Sequence, residues 1–176
     1  METIKLEKTG ACSSAIRYVR TQKSYVDAWN NCPRGDWMLW IAAKLQIDKR
    51  LLTLTKGKCA ATVLHLMKDK RSKKAVKAAI DYGHGLIGDE ELKNAADAAN
   101  AAYHDASYVA YTYATAAAGA AAAYAVADAA AGAAAANAAA YAADTDAARE
   151  KNLQETADIC RDLLTEEVFN KWNNLK

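Results

Sequence analysis

The chain has 176 residues, with 23 Lys/Arg against 21 Asp/Glu, one proline and eight glycines. Alanine accounts for 43 residues, and 32 of them fall in the 54 positions from Ala95 to Ala148. Alanine is the best helix former and a poor strand former, so a β-rich fold is excluded. A chain of this length hides roughly 70% of its unfolded surface and needs no disulfide frame.

The expected fold is therefore all-α: a compact multi-helix bundle with long, closely packed alanine-rich helices. It forms a single domain over 1–176, with a basic helical part at 1–88 and an alanine-rich acidic part at 89–176. Residues 1–93 hold 18 basic and 10 acidic side chains, a net +8, and residues 94–176 hold 5 and 11, a net −6, which together give the overall +2. Either the two halves dock on each other, or free basic surface meets an anionic partner. Cys12, Cys32, Cys59 and Cys160 are far apart, and no histidine stands at metal spacing. They read as small hydrophobes in a reducing cytoplasm, with no metal and no cofactor. Met1–Lys8 alternates in charge and lacks the apolar core of a secretory signal. Ala106–Ala127 is uncharged over 22 residues, but it is mostly alanine with tyrosine and threonine between Asp105 and Asp128. That argues against a membrane span.

In chain order, Ser13 or Ser14 caps a first helix to about Asn30, with Ser24 as a restart within it. Cys32-Pro33-Arg34-Gly35 is a turn. Asp36 is expected to cap the next helix, Trp37–Leu45, which is apolar nearly all round and so buried. Asp48 caps a helix with the stripe Leu52, Thr55, Cys59, Val63 and Leu66. Gly57 weakens it by about 1 kcal/mol relative to alanine. From about Ser72, a helix shows Val76, Ile80, Gly83 and Ile87 on one face, and Gly83, Gly85 and Gly88 end it. Asp89, Glu90 and Glu91 open the alanine segment where a helix dipole favours acids. A straight helix of about 75 residues would exceed about 100 Å, so the segment folds back. The breaks are expected near Gly119 or Gly132 and near Asp144, with tyrosines such as Tyr108, Tyr111, Tyr113 and Tyr124 as wedges. A last long helix carries Leu153, Ala157, Cys160 and Leu164, and a separate short one runs from Glu166 to about Asn173.

Chemistry-bearing patterns are scarce. His65, His84 and His104 are isolated. Gly83-His84-Gly85 lacks the spacing of a phosphate loop, and neither a zinc-hydrolase nor a serine-hydrolase signature occurs. No enzyme is expected. The basic run Lys68–Lys74, with Lys70, Arg71 and Lys74, is either a solvated linker or a holder of phosphate or of an anionic protein surface. DNA is not the expected partner, given the acidic second half. Trp37 and Trp40 share one helix face. They either pack the core, in which case Trp40→Ala costs about 3–5 kcal/mol, or anchor a partner.

The order Cys32-Pro33-Arg34-Gly35-Asp36-Trp37-Met38-Leu39-Trp40, then Asp48-Lys49-Arg50-Leu51-Leu52, then Cys59-Ala60, a basic helix and an Ala/Tyr/Asp-rich tail resembles an all-helical family of immunity proteins. That family belongs to bacterial polymorphic-toxin systems and also occurs in phage and mobile elements. The resemblance spans roughly Ser24–Leu164, and its specific part is the two short runs. It implies a cytoplasmic, non-enzymatic protein that neutralises a cognate toxin by binding it, with Asp36, Trp37, Trp40 and Arg50 as hallmark positions. Asp36 and Arg50 are a candidate buried ion pair. Two other functions stay open: a phage-type counter-defence protein that sequesters a nucleotide signal at Lys68–Lys77 or inhibits a host defence protein, and a homo-oligomer packed through alanine faces.

Overall fold

The computed structural model describes residues 10–67, 69–109 and 146–174. These residues form seven α-helices and no strand, as an all-α bundle. The helices are α1 (Ser13–Arg20), α2 (Tyr25–Asn30), α3 (Gly35–Lys44), α4 (Lys49–Ala61), α5 (Lys70–Gly83), α6 (Asp89–Val109) and α7 (Asp146–Asn173). A 3₁₀ turn at Leu64–Leu66 links α4 to α5.

The expected first helix is two helices. Thr21–Ser24 is non-helical, and Ser24 caps α2 by accepting from the Asp27 amide at 3.0 Å. The restart at Ser24 is thus a true boundary. Asp48 and Asp69 cap α4 and α5 in the same way, through the Leu51 and Arg71 amides. Asp36 does not cap α3. Arg34 holds the cap position and its side chain makes no capping bond, and Asp36 lies inside the first turn, turned to Arg34 instead. Nor is there a break at Glu166. Thr165 donates to the carbonyl of Arg161 at 2.6 Å, one turn back, and α7 runs on to Asn173. The proposed turns at Gly119, Gly132 and Asp144, and the tyrosine wedges, lie outside the described residues.

Helix α4 sits at the centre. Leu52 to Gly57, Cys59 and Ala60 are all buried, because α5 packs on one side of it and α3 and α7 on the other. The expected stripe is therefore too narrow: this helix is covered nearly all round. The main core joins α2, α3, α4 and α7 through Trp29, Met38, Leu39, Leu52, Cys59, Cys160, Leu164 and Val168. On the far side, α5 and α6 meet through alanine. Ala75 packs on Ala99, and Ala79, Ala96, Tyr82 and Leu92 form a neighbouring cluster.

Small residues set how closely these helices approach. A Cβ on Gly57 would stand 2.9 Å from Ala79 Cβ, and one on Gly83 would stand 2.3 Å from Leu54 Cβ. The helix cost of Gly57 is offset by contact between α4 and α5. The closest approach to a neighbouring backbone is at Gly35. A Cβ there would lie 2.6 Å from the Thr156 carbonyl carbon and 2.7 Å from its Cβ.

The ion pairs Lys77–Asp81, Lys93–Asp97, Arg71–Asp69 and Arg161–Asp158 each link neighbours in sequence. Lys49–Asp89 joins the start of α4 to the start of α6. No helix among the described residues is long and apolar enough to cross a membrane. Because the Gly35 contact is with backbone and Cβ, the neighbour has little room to yield. Gly35→Ala is expected to lower stability by about 1–3 kcal/mol, as overpacking does, measured as a shift of the urea midpoint.

Candidate partner-binding cleft

The residues that build the site begin at the Cys32–Asp36 turn. Pro33 carries the chain out of α2, and Arg34 is extended before α3. Helix α7 holds this turn in place. Arg161 Nη1 donates to the Cys32 carbonyl at 2.8 Å, and the Cys160 thiol lies 3.8 Å from the Gly35 carbonyl oxygen. Arg161 is itself fixed by Asp158.

On this base sits a bidentate ion pair. Arg34 Nε donates to Asp36 Oδ1 at 2.9 Å, and Nη2 to Oδ2 at 2.6 Å. Asp36 is only 3% exposed, so its charge depends on that match. The carboxylate in turn holds the Arg34 guanidinium in its charged form, above its ordinary pKa. The guanidinium lies over the Trp37 ring, 4.7 Å from its centroid, a cation–π contact. Tyr18 from α1 tilts against the other side of the assembly, with ring centroids 5.7 Å from Trp37, and donates to the Ala28 carbonyl at 3.1 Å.

These residues line a cleft of about 490 Å³ between α1, α2, α3 and the end of α7, within the size range of a ligand site. All four tryptophans of the chain border it: Trp29, Trp37, Trp40 and Trp172. Trp29 is buried and donates to Thr165 Oγ1 at 2.8 Å. Trp172 stacks on Tyr25, 5.0 Å centroid to centroid, and Tyr25 donates to Asn173 Oδ1 at 2.8 Å. Trp40 is half-buried with Lys44 over its ring at 5.6 Å.

Of the residues singled out in sequence, Asp36, Trp37 and Trp40 come together here. The core reading holds in part for Trp37 and not for Trp40. Trp37 packs on the edge of the core, and Trp40 forms cleft wall. Arg50 is elsewhere, and the expected Asp36–Arg50 pair does not form. Arg50 donates to the Tyr82 carbonyl at 2.6 Å and lies 4.3 Å over the Tyr82 ring, while Tyr82 OH donates to Asp89. It fastens α4 to the turn before α6. Arg71 folds onto Asp69, so it is committed locally. Lys70 and Lys74, with Lys73, stand exposed on the outer side of α5. They are helical residues rather than a linker. Sequence reasoning missed Arg34, Tyr18, Tyr25 and Trp172 as cleft residues. The Arg-x-Asp spacing was the one local clue to the ion pair.

No family model matches the chain, and no curated protein or solved structure shows significant similarity to it.

Beside the Arg34–Asp36 ion pair, two groups of the cleft, Cys32 and Tyr18, are held in their un-ionised forms. Burial pushes the Cys32 thiol up to about 11 and the Tyr18 phenol up to about 12. Neither is a nucleophile or base at neutral pH. Among the described residues, no group of three His, Cys, Asp or Glu side chains is placed to hold a metal ion.

Two predictions follow from this geometry. Trp29→Ala should cost about 3–5 kcal/mol, the range for a buried aromatic, and Trp40→Ala roughly half of that or less, both by chemical denaturation. The second concerns pH. Unfolded, Cys32 and Tyr18 ionise near their ordinary values of 9.0 and 10.0. Folded, they stay protonated, so the unfolded state binds fewer protons through that window and stability falls as pH rises. The urea midpoint should hold steady to about pH 8.5 and decline from about pH 9 to 12, with Cys32→Ala flattening the start of the decline.

Proposed function

We propose that the chain is an immunity-type inhibitor that neutralises a cognate toxin by protein–protein binding, with the four-tryptophan cleft as its anchor site. The observation that carries this reading is the convergence of all four tryptophans on one half-open cleft beside an arginine. Tryptophan and arginine are the residues most enriched among binding hot spots. The cleft is preformed on packed helices, which limits the ordering cost of association. The Gly35–Trp40 and Asp48–Leu52 runs support the same reading, because they supply one wall of the cleft and the fastening of α4.

The proposed role is non-enzymatic and needs no cofactor. Free thiols at Cys12, Cys32, Cys59 and Cys160 favour a reducing compartment, the cytoplasm. The exposed lysines Lys70, Lys73 and Lys74 favour a second reading, a phage-type counter-defence protein that captures a nucleotide signal.

One pair of measurements separates the two. On the first reading, the chain co-purifies as a stoichiometric complex with the product of the neighbouring reading frame. Trp40→Ala and Trp37→Ala, checked as folded by circular dichroism, then weaken that complex at least about tenfold, a hot-spot loss. If cyclic nucleotides raise the melting temperature by several degrees and no such complex forms, the inhibitor reading fails.

A further inference from the structure

Helix α5 turns a single kind of side chain to solvent. Its exposed residues are Lys70, Lys73, Lys74 and Lys77, and its other positions are buried or half-buried. The four stand at i, i+3, i+4 and i+7, so they form one row along the outer side of the helix. At 1.5 Å per residue the row is about 10 Å long. Lys77 is answered by Asp81 one turn on. Lys70, Lys73 and Lys74 have no acidic partner among the described residues. The adjacent Asp69 is spent on capping α5 and on Arg71.

Such a row works against its own helix. Lysines one turn apart repel each other. Lys70 and Lys73 lie in the first four residues of α5, where the helix dipole disfavours positive charge, and no acid follows the cap in that turn. By contrast, α6 opens on Asp89, Glu90 and Glu91, and its Lys93 is answered by Asp97. A face kept against local preference is a mark of function.

The chemistry of the row selects its partner. Lysine is a point charge that suits phosphate without demanding a fixed geometry. Carboxylates scattered on a protein surface gain little from exposed lysines. A nucleic-acid duplex gains more, because each phosphate neutralised releases condensed counterions. Each strand advances about 3.4 Å per phosphate along the axis, so the row meets about three to four of them. The exposed side of α5 has no aromatic ring to stack an unpaired base and no amide to read a base edge. It has no exposed apolar side chain to enter a membrane. Being convex, it does not enclose a single nucleotide. The acids that argue against DNA by composition belong to other parts of the chain, and α5 itself carries only Asp81.

We propose that the α5 lysine row binds the phosphate backbone of a nucleic-acid duplex, without regard to sequence. None of the residues lining the tryptophan cleft belongs to α5, so binding here is independent of the inhibitor reading.

The test is fluorescence anisotropy of the full chain with short labelled DNA and RNA duplexes, two unrelated sequences of each. At least one duplex type should bind, with both of its sequences alike. The slope of log affinity against log salt should be about −3, a loss of roughly sixtyfold between about 50 and 200 mM salt. Lys73→Gln combined with Lys74→Gln should bring that slope to about −1 and weaken low-salt binding at least about tenfold, with the melting temperature kept. Lys151→Gln combined with Lys171→Gln removes the same charge from exposed positions on α7 and should leave the slope unchanged. No binding of either duplex at about 50 mM salt, a row variant that binds like the parent, or an α7 variant that loses as much overturns the proposal. Equal binding of poly-glutamate or of anionic lipid vesicles overturns it too, and reassigns the row to an acidic protein or a membrane surface.

Discussion

The approach of α3 to α7 at Gly35 is the constraint on which the rest of the molecule depends. With no side chain at that position, the first turn of α3 rests directly on the backbone of Thr156. This sets the Cys160 thiol near the Gly35 carbonyl oxygen and brings Arg161 within reach of the Cys32 carbonyl. The turn between α2 and α3 is thereby fixed from one side by a helix more than a hundred residues later in the chain. Once Cys32 and Gly35 are placed, Arg34 and Asp36 have little choice but to face each other. Their ion pair in turn positions the Trp37 ring under the guanidinium. The cleft is thus a consequence of a backbone contact, passed on through a charge pair to an aromatic wall.

A second constraint acts on the opposite side of α4. Gly57, Gly83, Ala75, Ala79, Ala96 and Ala99 let α4, α5 and α6 pack with little between their backbones. Such packing removes few methylenes from water per residue. It gains through shape, because close backbones fill space that long side chains otherwise would. Larger hydrophobes are gathered instead where α2, α3, α4 and α7 meet. The two halves of the bundle thus use different means of cohesion around a shared central helix.

Much of this architecture was legible. Alanine content and the absence of strand signals dictate an all-α fold. Ser24 and Asp48 mark helix starts through local side-chain chemistry that needs no tertiary partner. Asp69 does the same for α5, ahead of the expected start near Ser72. Asp36 looked like another such start and is not, because a neighbouring arginine offered the carboxylate a stronger match than the orphan amides did. The proposed Asp36–Arg50 pair failed for a similar reason. Arg50 found the Tyr82 ring and carbonyl, and nothing local in the sequence reveals a partner that distant. The convergence of Trp172 with Trp29, Trp37 and Trp40 was equally hidden, since it requires α7 to return beside α2. No break occurs at Glu166: the Thr165 hydroxyl is taken up by the Arg161 carbonyl one turn back, so it does not cap a new helix, and α7 runs on to Asn173.

The cleft's two walls are not equivalent, and this bears on how it binds. The α3 wall is anchored through Gly35, Cys160 and Arg161 to the main core. The α1 wall contains no buried residue, and Tyr18 ties it to α2 through one hydrogen bond and to Trp37 through one ring contact. Thr21–Ser24, between α1 and α2, is non-helical. Local opening free energies track how much buried contact an element has, so α1 is the part of the cleft that yields first. A binder with one rigid wall keeps its anchors preorganised, and a yielding second wall adjusts to an occupant without disturbing the core. The tryptophans follow this division. Trp37 sits beneath the Arg34 guanidinium on the α3 wall and Trp40 stands beside it, while Tyr18 is the aromatic that α1 contributes. On the proposed reading of the cleft as a partner site, selectivity resides in α3, and the rate at which a partner enters is set by α1.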